Sequence, residues 1–374
     1  MILKDLFGGV FQNKKIFVTG HTGFQGSWLT LWLKSLGAKV TGYSLPPPTK
    51  PSLFEILQLK QDINHIVGDV RDHSFLQKCL IKHKPDIVFH LAAQPLVRLS
   101  YEKPVDTFHT NIMGTVNLLE AIRNTQSVKA GIIITSDKCY ENKEWTFAYR
   151  ENDPLGGFDP YSASKGATEI VTSSYSRSFF HSNNKKRKIG IATVRAGNVI
   201  GGGDWAQDRI VPDCIRSIYS GKQILIRNPK SIRPWQHVLE PISGMLLLAS
   251  KLWDNPQSYN ESWNFGPNLS TNVTVKELVI QIIKELKQKP NWKDVSKNTK
   301  NSVHEANFLR LDSTKANNLL GWRQTYDNKE TISETTSWYQ NYIKKTEMRK
   351  FTLLQIKKYV EKAKHMNATW AVNK

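Results

Sequence analysis

The sequence predicts an α/β chain: a doubly wound parallel sheet followed by a smaller C-terminal substrate-binding lobe. Three observations carry that prediction. Near the N-terminus a β-branched run enters a glycine-punctuated turn and then a helical repeat. Further short apolar runs alternate with helical patterns as far as residue 195, the rhythm of a parallel sheet with crossover helices. One of those runs, Ile132-Ile133-Ile134, stops abruptly at Thr135-Ser136-Asp137-Lys138. A hydroxyl, a carboxylate and an ammonium then stand at a strand's carboxyl end, which in an open parallel sheet faces the ligand crevice.

The elements follow in order. Lys15 to Thr19 reads as the first strand and runs into Gly20-His21-Thr22-Gly23-Phe24-Gln25-Gly26. Leu29, Leu31, Trp32, Leu33 and Leu36 repeat at helical spacing, Gly37 closes the helix, and Lys39 to Tyr43 begins the next strand. This is a mononucleotide-binding βαβ unit of the Rossmann type. One glycine permits the tight turn, one lets backbone approach a pyrophosphate, and one lets helix pack close to strand. Phosphate would sit at the helix N-terminus, where amide N–H groups lack partners and the dipole is favourable.

His65 to Asp72 reads as a short strand ending in acids. Asp69 would accept from an adenine amino group with the backbone of Val70 beside it, and a helix N-cap is the plain alternative. Pro85 to Ala93 is the next strand, and its small Ala92-Ala93 end lets a cofactor lie close to the main chain. A helix over 105–123 precedes the strand at 130–136. Asp159-Pro160-Tyr161-Ser162-Ala163-Ser164-Lys165 then opens a helix over 161–180. Tyr161 and Lys165 are four apart and share a face. A phenol has a pKa near ~10, and an adjacent ammonium favours its phenolate. Lys165 would also hold a ribose hydroxyl.

The first ~195 residues with 231–262 are expected to form the nucleotide-binding domain. Residues 196–230 and 263–374 are expected to form the smaller lobe, with the site between the two. The formal net charge is +20, concentrated in Lys185-Lys186-Arg187-Lys188 and the C-terminal stretch. Both read as solvated faces, without the interleaved aromatic–basic pattern of a nucleic-acid surface. Cys79, Cys139 and Cys214 are far apart and lack CxxC spacing. That argues against a disulfide framework or a structural zinc and fits a reducing, cytoplasmic compartment. No metal site is expected. No run reaches the ~20 apolar residues of a membrane span, and residues 1–15 do not read as a signal peptide.

These motifs, in this order, resemble the extended short-chain dehydrogenase/reductase family. The resemblance continues through Arg195-Ala196-Gly197-Asn198-Val199, Arg233-Pro234-Trp235-Gln236-His237-Val238, Asn264-Phe265-Gly266 and Leu320-Gly321-Trp322, nearly the whole chain. Within the family the sequence is similar to the nucleotide-sugar 4,6-dehydratases. Ser136-Asp137-Lys138 is similar to the branch that has Lys where the dTDP-glucose enzymes have Glu. That branch implies a CDP-linked glucose as substrate, NAD as cofactor and an internal redox cycle. An epimerase on the same scaffold is the alternative enzyme, and a nucleotide sensor without activity the non-enzymatic one.

The resemblance implies roles. Tyr161 takes the proton of the sugar 4-hydroxyl, Ser136 bonds the 4-oxygen and Asp137 is the acid for the C6 hydroxyl. Lys138 is either the C5 base or an electrostatic stabiliser of the enolate. Asn198 and Arg233 contact the diphosphate, Arg209 is a further anion contact, and Glu305 accepts from the nucleotide ribose. The end of the second strand departs from the usual pattern. It reads Thr41-Gly42-Tyr43-Ser44-Leu45, with no acid for the adenosine ribose. Ser44 is left to bond a hydroxyl, and NAD over NADP rests on the resemblance alone. The helices 105–123 and 161–180 are similar to the family's dimer helices, implying a homodimer or homotetramer. The C-terminal helix at 351–365 is expected to pack on the lobe or on a neighbouring subunit.

Overall fold

Seven short β-branched and aromatic runs line up as one sheet in the computed structural model, which describes residues 3–181, 188–268, 273–296 and 308–372. They are β1 (Lys15–Thr19), β2 (Lys39–Ser44), β3 (Asn64–Val67), β4 (Ile87–His90), β5 (Ala130–Ile134), β6 (Gly190–Arg195) and β7 (Ser262–Asn264). Their spatial order is β7-β6-β5-β4-β1-β2-β3, and every pairing is parallel. The inner strands are covered on both faces and therefore read as continuous apolar runs, while the edge strand β3 leaves Asn64 and Val67 exposed. Ile16, Phe17 and Val18 of β1 and Ile87, Val88 and Phe89 of β4 are all buried.

Helices cover the two faces. On one, α1 (Phe24–Ser35) and α5 (Leu239–Asp254) bring Trp28, Trp32, Leu246 and Leu248 against the sheet. On the other lie α2 (His73–His83), α3 (Gly114–Arg123) and α4 (Pro160–Tyr175), with Leu76, Leu118, Leu119 and Ile122 in the core. The strand order reverses between β1 and β4, so a crevice opens outside their carboxyl ends. Gly20 and Leu91-Ala92 follow those two strands directly.

Two expected helices carry a wider turn. The segment read as one helix over 105–123 is helical at Pro104–Phe108, makes a π-turn at His109–Met113 and continues as α3. A π-turn inserts one extra residue and re-aims the side chains beside it. Here it delivers Asn111, whose Nδ2 donates to Gln94 O (3.1 Å) and to Ser164 Oγ (2.8 Å). The helix read over 161–180 likewise ends in a π-turn at Ser176–Phe180.

Beyond β6 the chain builds helices Ile210–Tyr219, Val275–Glu285 and Asn328–Ile343, with short strand pairs between them. The last helix, α6, runs from Met348 to His365. It packs against Asn328–Ile343 and also against α1, on the sheet side of the molecule. Tyr359 lies edge-on to Trp32 (ring centroids 5.8 Å apart) and stacks on Trp370 (5.9 Å). Trp370 in turn stacks on Phe7 (5.0 Å). The two ends of the chain are thus joined over α1. Among the described residues no helix is long and apolar enough to cross a membrane, and the three cysteines are free thiols, all buried.

Candidate active site

The first half of the site is the turn after β1. Gly20 is left-handed (φ +72°), and a Cβ there would stand 2.6 Å from the amide nitrogen of Ala92. A Cβ on Gly26 would overlap the Gly20 carbonyl. Only glycine at both positions lets α1 and the β4 end close on this turn. Gly23 caps α1 without a side-chain acceptor. The amides of Phe24 and Gln25 open the helix, ready for an anion. The Gln25 Oε1 is buried and has no partner among the described residues.

Thr22 Oγ1 donates to Leu45 O (3.0 Å) and lies 2.8 Å from Ser44 Oγ. With the Thr22 proton committed to Leu45, Ser44 donates to Thr22 and keeps its lone pairs for a ribose hydroxyl. No acid is needed for that bond. His21, beneath, pairs its Nε2 with His65 Nδ1 at 2.7 Å. Burial, helped by His65, pushes the His21 imidazole down to about 3.

Asp69 has a nearer partner than the sequence implied. Its Oδ2 accepts from Arg71 Nε (2.9 Å) and from the Arg71 guanidinium terminus (2.6 Å). Its Oδ1 accepts from the Arg71 amide (2.9 Å). The Arg71 bonds hold the carboxyl below the usual range. One lone pair on Oδ1 is left for an exocyclic amine. Val70 is buried against the Cα of Gly114, and its carbonyl accepts from Asn117 Nδ2 (2.9 Å). Ala92 donates its amide to Thr19 Oγ1 (3.2 Å), and Ala93 follows it at the crevice edge, half-buried.

The second half is the end of β5. Thr135 is tied to β6 through its amide to Val194 O (2.9 Å), and its hydroxyl donates to Glu169. Ser136 then caps the short turn Asp137–Cys139 by accepting from the Lys138 amide (3.2 Å). The Ser136 hydroxyl donates to Asp137 Oδ1 (2.9 Å). Asp137 is buried and also lies 3.5 Å from Asn198 Nδ2. Lys138 is half-buried, and among the described residues its Nζ has no ion-pair partner.

Tyr161 faces this cluster from α4. Burial pushes its phenol up to about 12, a hydrogen bond with Ser136 pulls the other way, and Asp137 adds to the rise. The expected lowering by Lys165 is therefore corrected. Lys165 Nζ donates to Ile134 O at 3.1 Å, and burial brings its own pKa down to about 8. Low dielectric disfavours both charged forms, phenolate and ammonium, more than local spacing favours them.

Sequence reasoning missed the support beneath. Glu169, one turn past Lys165, is buried and accepts from Thr193 Oγ1 (2.6 Å), Arg195 (2.8 Å) and Ser262 Oγ (3.0 Å). Burial acts to raise its carboxyl, but Arg195 and the hydroxyl donors hold it below the usual range. The i, i+4 step from Tyr161 to Lys165 to Glu169 was the available signal.

Three of the substrate candidates lie on separate elements. Asn198 is left-handed (φ +49°), and its Nδ2 lies 3.5 Å from Asp137 Oδ2. Arg209 precedes helix Ile210–Tyr219, bonds Asp204 Oδ2 (2.9 Å), and its charge acts to lower the Tyr161 phenol. Arg233 lies on a two-residue strand paired with Val273–Thr274. Glu305 lies outside the described residues.

The donor set fits a nicotinamide dinucleotide. The glycine turn and α1 amides suit its pyrophosphate, Ser44 a ribose hydroxyl, Asp69 the adenine amine, and Lys165 with Tyr161 the far ribose and the reacting ring.

Residues 17–335 match the family described as GDP-mannose 4,6 dehydratase. A CDP-glucose 4,6-dehydratase of Salmonella typhimurium is 49% identical over 90% of this chain and 94% of its own length. A human dTDP-D-glucose 4,6-dehydratase is 28% identical over 87% of this chain and 90% of its own. Among solved structures, a dTDP-glucose 4,6-dehydratase of Streptomyces venezuelae, with NAD bound, superposes with a TM-score of 0.73 at 20% identity, covering 87% of this chain and 97% of that one. A UDP-glucose 4-epimerase of Thermotoga maritima gives 0.74 at 23%, covering 88% and 99%. Those two likenesses speak to the fold. The match over 17–335 and the 49% identity speak to descent, and by them the chain belongs to the GDP-mannose 4,6-dehydratase family.

Proposed function

We propose that this chain is an NAD-dependent CDP-glucose 4,6-dehydratase, converting CDP-D-glucose to CDP-4-dehydro-6-deoxy-D-glucose and water. The observation that carries the reading is the buried Ser136–Asp137–Tyr161 cluster at the end of β5. It supplies a base for a hydroxyl and, beside it, an acid that simple oxidation does not need. The 49% identity to the Salmonella enzyme supports the choice of nucleotide.

Bound NAD would supply a hydride acceptor for C4 and a donor for C6. The chain's residues do the rest. Tyr161 takes the 4-hydroxyl proton, with Ser136 bonding the same oxygen. A phenol pushed up to about 12 is a strong base once ionised, and the Ser136 bond and the Arg209 charge favour the phenolate as it forms, while Lys165 holds a ribose hydroxyl beside it. The resulting 4-keto group acidifies C5–H. Lys138 stands at the mouth of the turn as C5 base or as an ammonium beside the enolate. Asp137 protonates the C6 hydroxyl so that it leaves as water. Such positioned transfers contribute roughly 10²–10⁴-fold each. Arg209, Arg233 and Glu305 bind the nucleotide diphosphate and ribose, and Asn198 serves the diphosphate from beside Asp137. Epimerisation needs Tyr161 but leaves Asp137 without a task.

A homo-oligomer and a cytoplasmic location belong to the same reading. Val105, Met113 and Ile170 are exposed apolar residues on the 104–123 segment and α4, and they offer a face to a second copy. Sedimentation would show a dimer or larger.

The test is a panel of nucleotide glucoses incubated with NAD, followed by the alkaline absorbance of 4-keto-6-deoxy products. CDP-glucose should react best. Product from another nucleotide glucose and none from CDP-glucose would remove the nucleotide assignment. Asp137→Asn should spare C4 oxidation and slow elimination; dehydration at the wild-type rate would remove the acid from the mechanism.

A further inference from the structure

We infer that the Gly197–Asn198 turn, clamped by Gln236, positions Asp137 for its part in the elimination. Gln236 is thus a positioning residue and Gly197 the wall against which the acid rests. The inference rests on the dehydratase reading and extends it to residues that touch no substrate.

The geometry begins at Asp137. Its amide donates to Ala196 O at 3.3 Å. A Cβ placed on Gly197 would overlap the Asp137 carboxylate. Gly197 is not among the glycines with positive φ, so alanine is acceptable there to the backbone. What the missing Cβ protects is therefore the carboxylate, which fills that space. Asn198, next along, turns left-handed and brings Nδ2 to 3.5 Å from Asp137 Oδ2. The carboxylate is thus bounded by Ser136 on Oδ1 and by the 197–198 turn on Oδ2.

That turn does not hold itself. Gln236 is fully buried. Its Nε2 donates to Gly197 O (3.1 Å) and to Phe265 O (2.9 Å). Its amide donates to Asn198 O (3.2 Å). One side chain joins the turn to the stretch after β7, and one main-chain bond fixes the residue that reaches Asp137. A shorter or apolar side chain would leave two buried carbonyls unpaired and free the turn to drift. A general acid is sensitive to such drift because proton transfer requires hydrogen-bond reach.

The test separates acid function from general damage by changing the leaving group. In CDP-6-deoxy-6-fluoro-glucose, elimination from the 4-keto intermediate passes the C5 proton to the C5 base, the C5–H electron pair forms the C5–C6 double bond, and the C6–F bond breaks to release fluoride. Fluoride is a weak base and departs without a proton. Gly197→Ala should lose roughly 10²-fold with CDP-glucose, the low end of what general-acid assistance contributes, and far less with the fluoro substrate. Gln236→Met should show the same split, smaller in size. Melting and circular dichroism report folding, and if Gln236→Met does not fold, Gly197→Ala decides. Equal losses on both substrates in a folded variant would overturn the inference, as would a Gly197→Ala enzyme at wild-type rate on CDP-glucose. A wild-type protein inert toward both substrates would overturn the dehydratase reading, and this inference with it.

Discussion

Lys165→Met should make the protein more stable while removing its activity. Burial holds the Lys165 ammonium at about 8, against 10.5 for the free side chain. At about 1.4 kcal/mol per tenfold change in proton affinity, the buried charge costs roughly 3 kcal/mol at neutral pH. Methionine fills a similar volume but loses the charge-assisted bond to Ile134 O, worth roughly 1.5–3 kcal/mol, so a net gain of up to about 1.5 kcal/mol remains. The sign with pH follows from linkage. A lysine whose folded value lies below its unfolded one imposes its full cost below about 8, and the cost is relieved as pH rises toward 10.5. Wild type should therefore gain on the variant across that window. Urea unfolding of both proteins, without cofactor, at pH 7 and pH 10 reads the effect. A variant less stable than wild type at pH 7, with a difference that does not move by pH 10, would refute the burial argument.

Other outcomes follow from the same contacts. Gly20→Ala meets both a left-handed φ and the Ala92 backbone, so NAD binding by calorimetry should be lost and the melting temperature lowered; unchanged binding would show that the turn adapts. Arg195→Met leaves Glu169 buried without its cation and should cost about 3–5 kcal/mol, measured by denaturant titration; a loss under 1 kcal/mol would contradict it. Burial pushes Glu240 up to about 7 from 4.5. A carboxyl raised on folding contributes stability that is complete below about 4.5 and lost as pH rises to about 7. Wild type should thus lose roughly 3 kcal/mol relative to Glu240→Gln over that range. A pH-independent gap would rule this out.

Much of the fold was legible because parallel strands buried on both faces leave continuous apolar runs, and glycine turns leave fixed spacings. Thr19 to Gly26 and the stop after Ile134 lie where that reading puts them, while β4 already ends at His90, short of the expected Ala92-Ala93 end. The four-residue step also put Tyr161 and Lys165 on one face. What spacing cannot carry is environment. The phenol of Tyr161 rises because tertiary packing buries it, and Lys165 turns to Ile134 O because a buried ammonium takes the nearest acceptor. Asp69 is engaged by Arg71 two residues on, a bond that depends on the chain reversing after β3. The π-turn around Asn111 exists because Gln94 and Ser164 reward the altered aim of one amide. Strand β7 is three residues long, too short for a periodic signal, and it joins the sheet through pairing with β6. Gln236 reads only as one more residue of the Arg233–Val238 motif until Gly197 and Phe265 are brought to it from other parts of the chain.

The central claim is an internal hydride cycle ending in loss of water, and CDP-[4-²H]glucose tests it most directly. Tyr161 and Asp137 acting as described predict a product 18 mass units lighter by loss of water, with the deuterium moved to C6. Deuterium left at C4, washed into solvent, or retained in a product of unchanged mass would contradict the account.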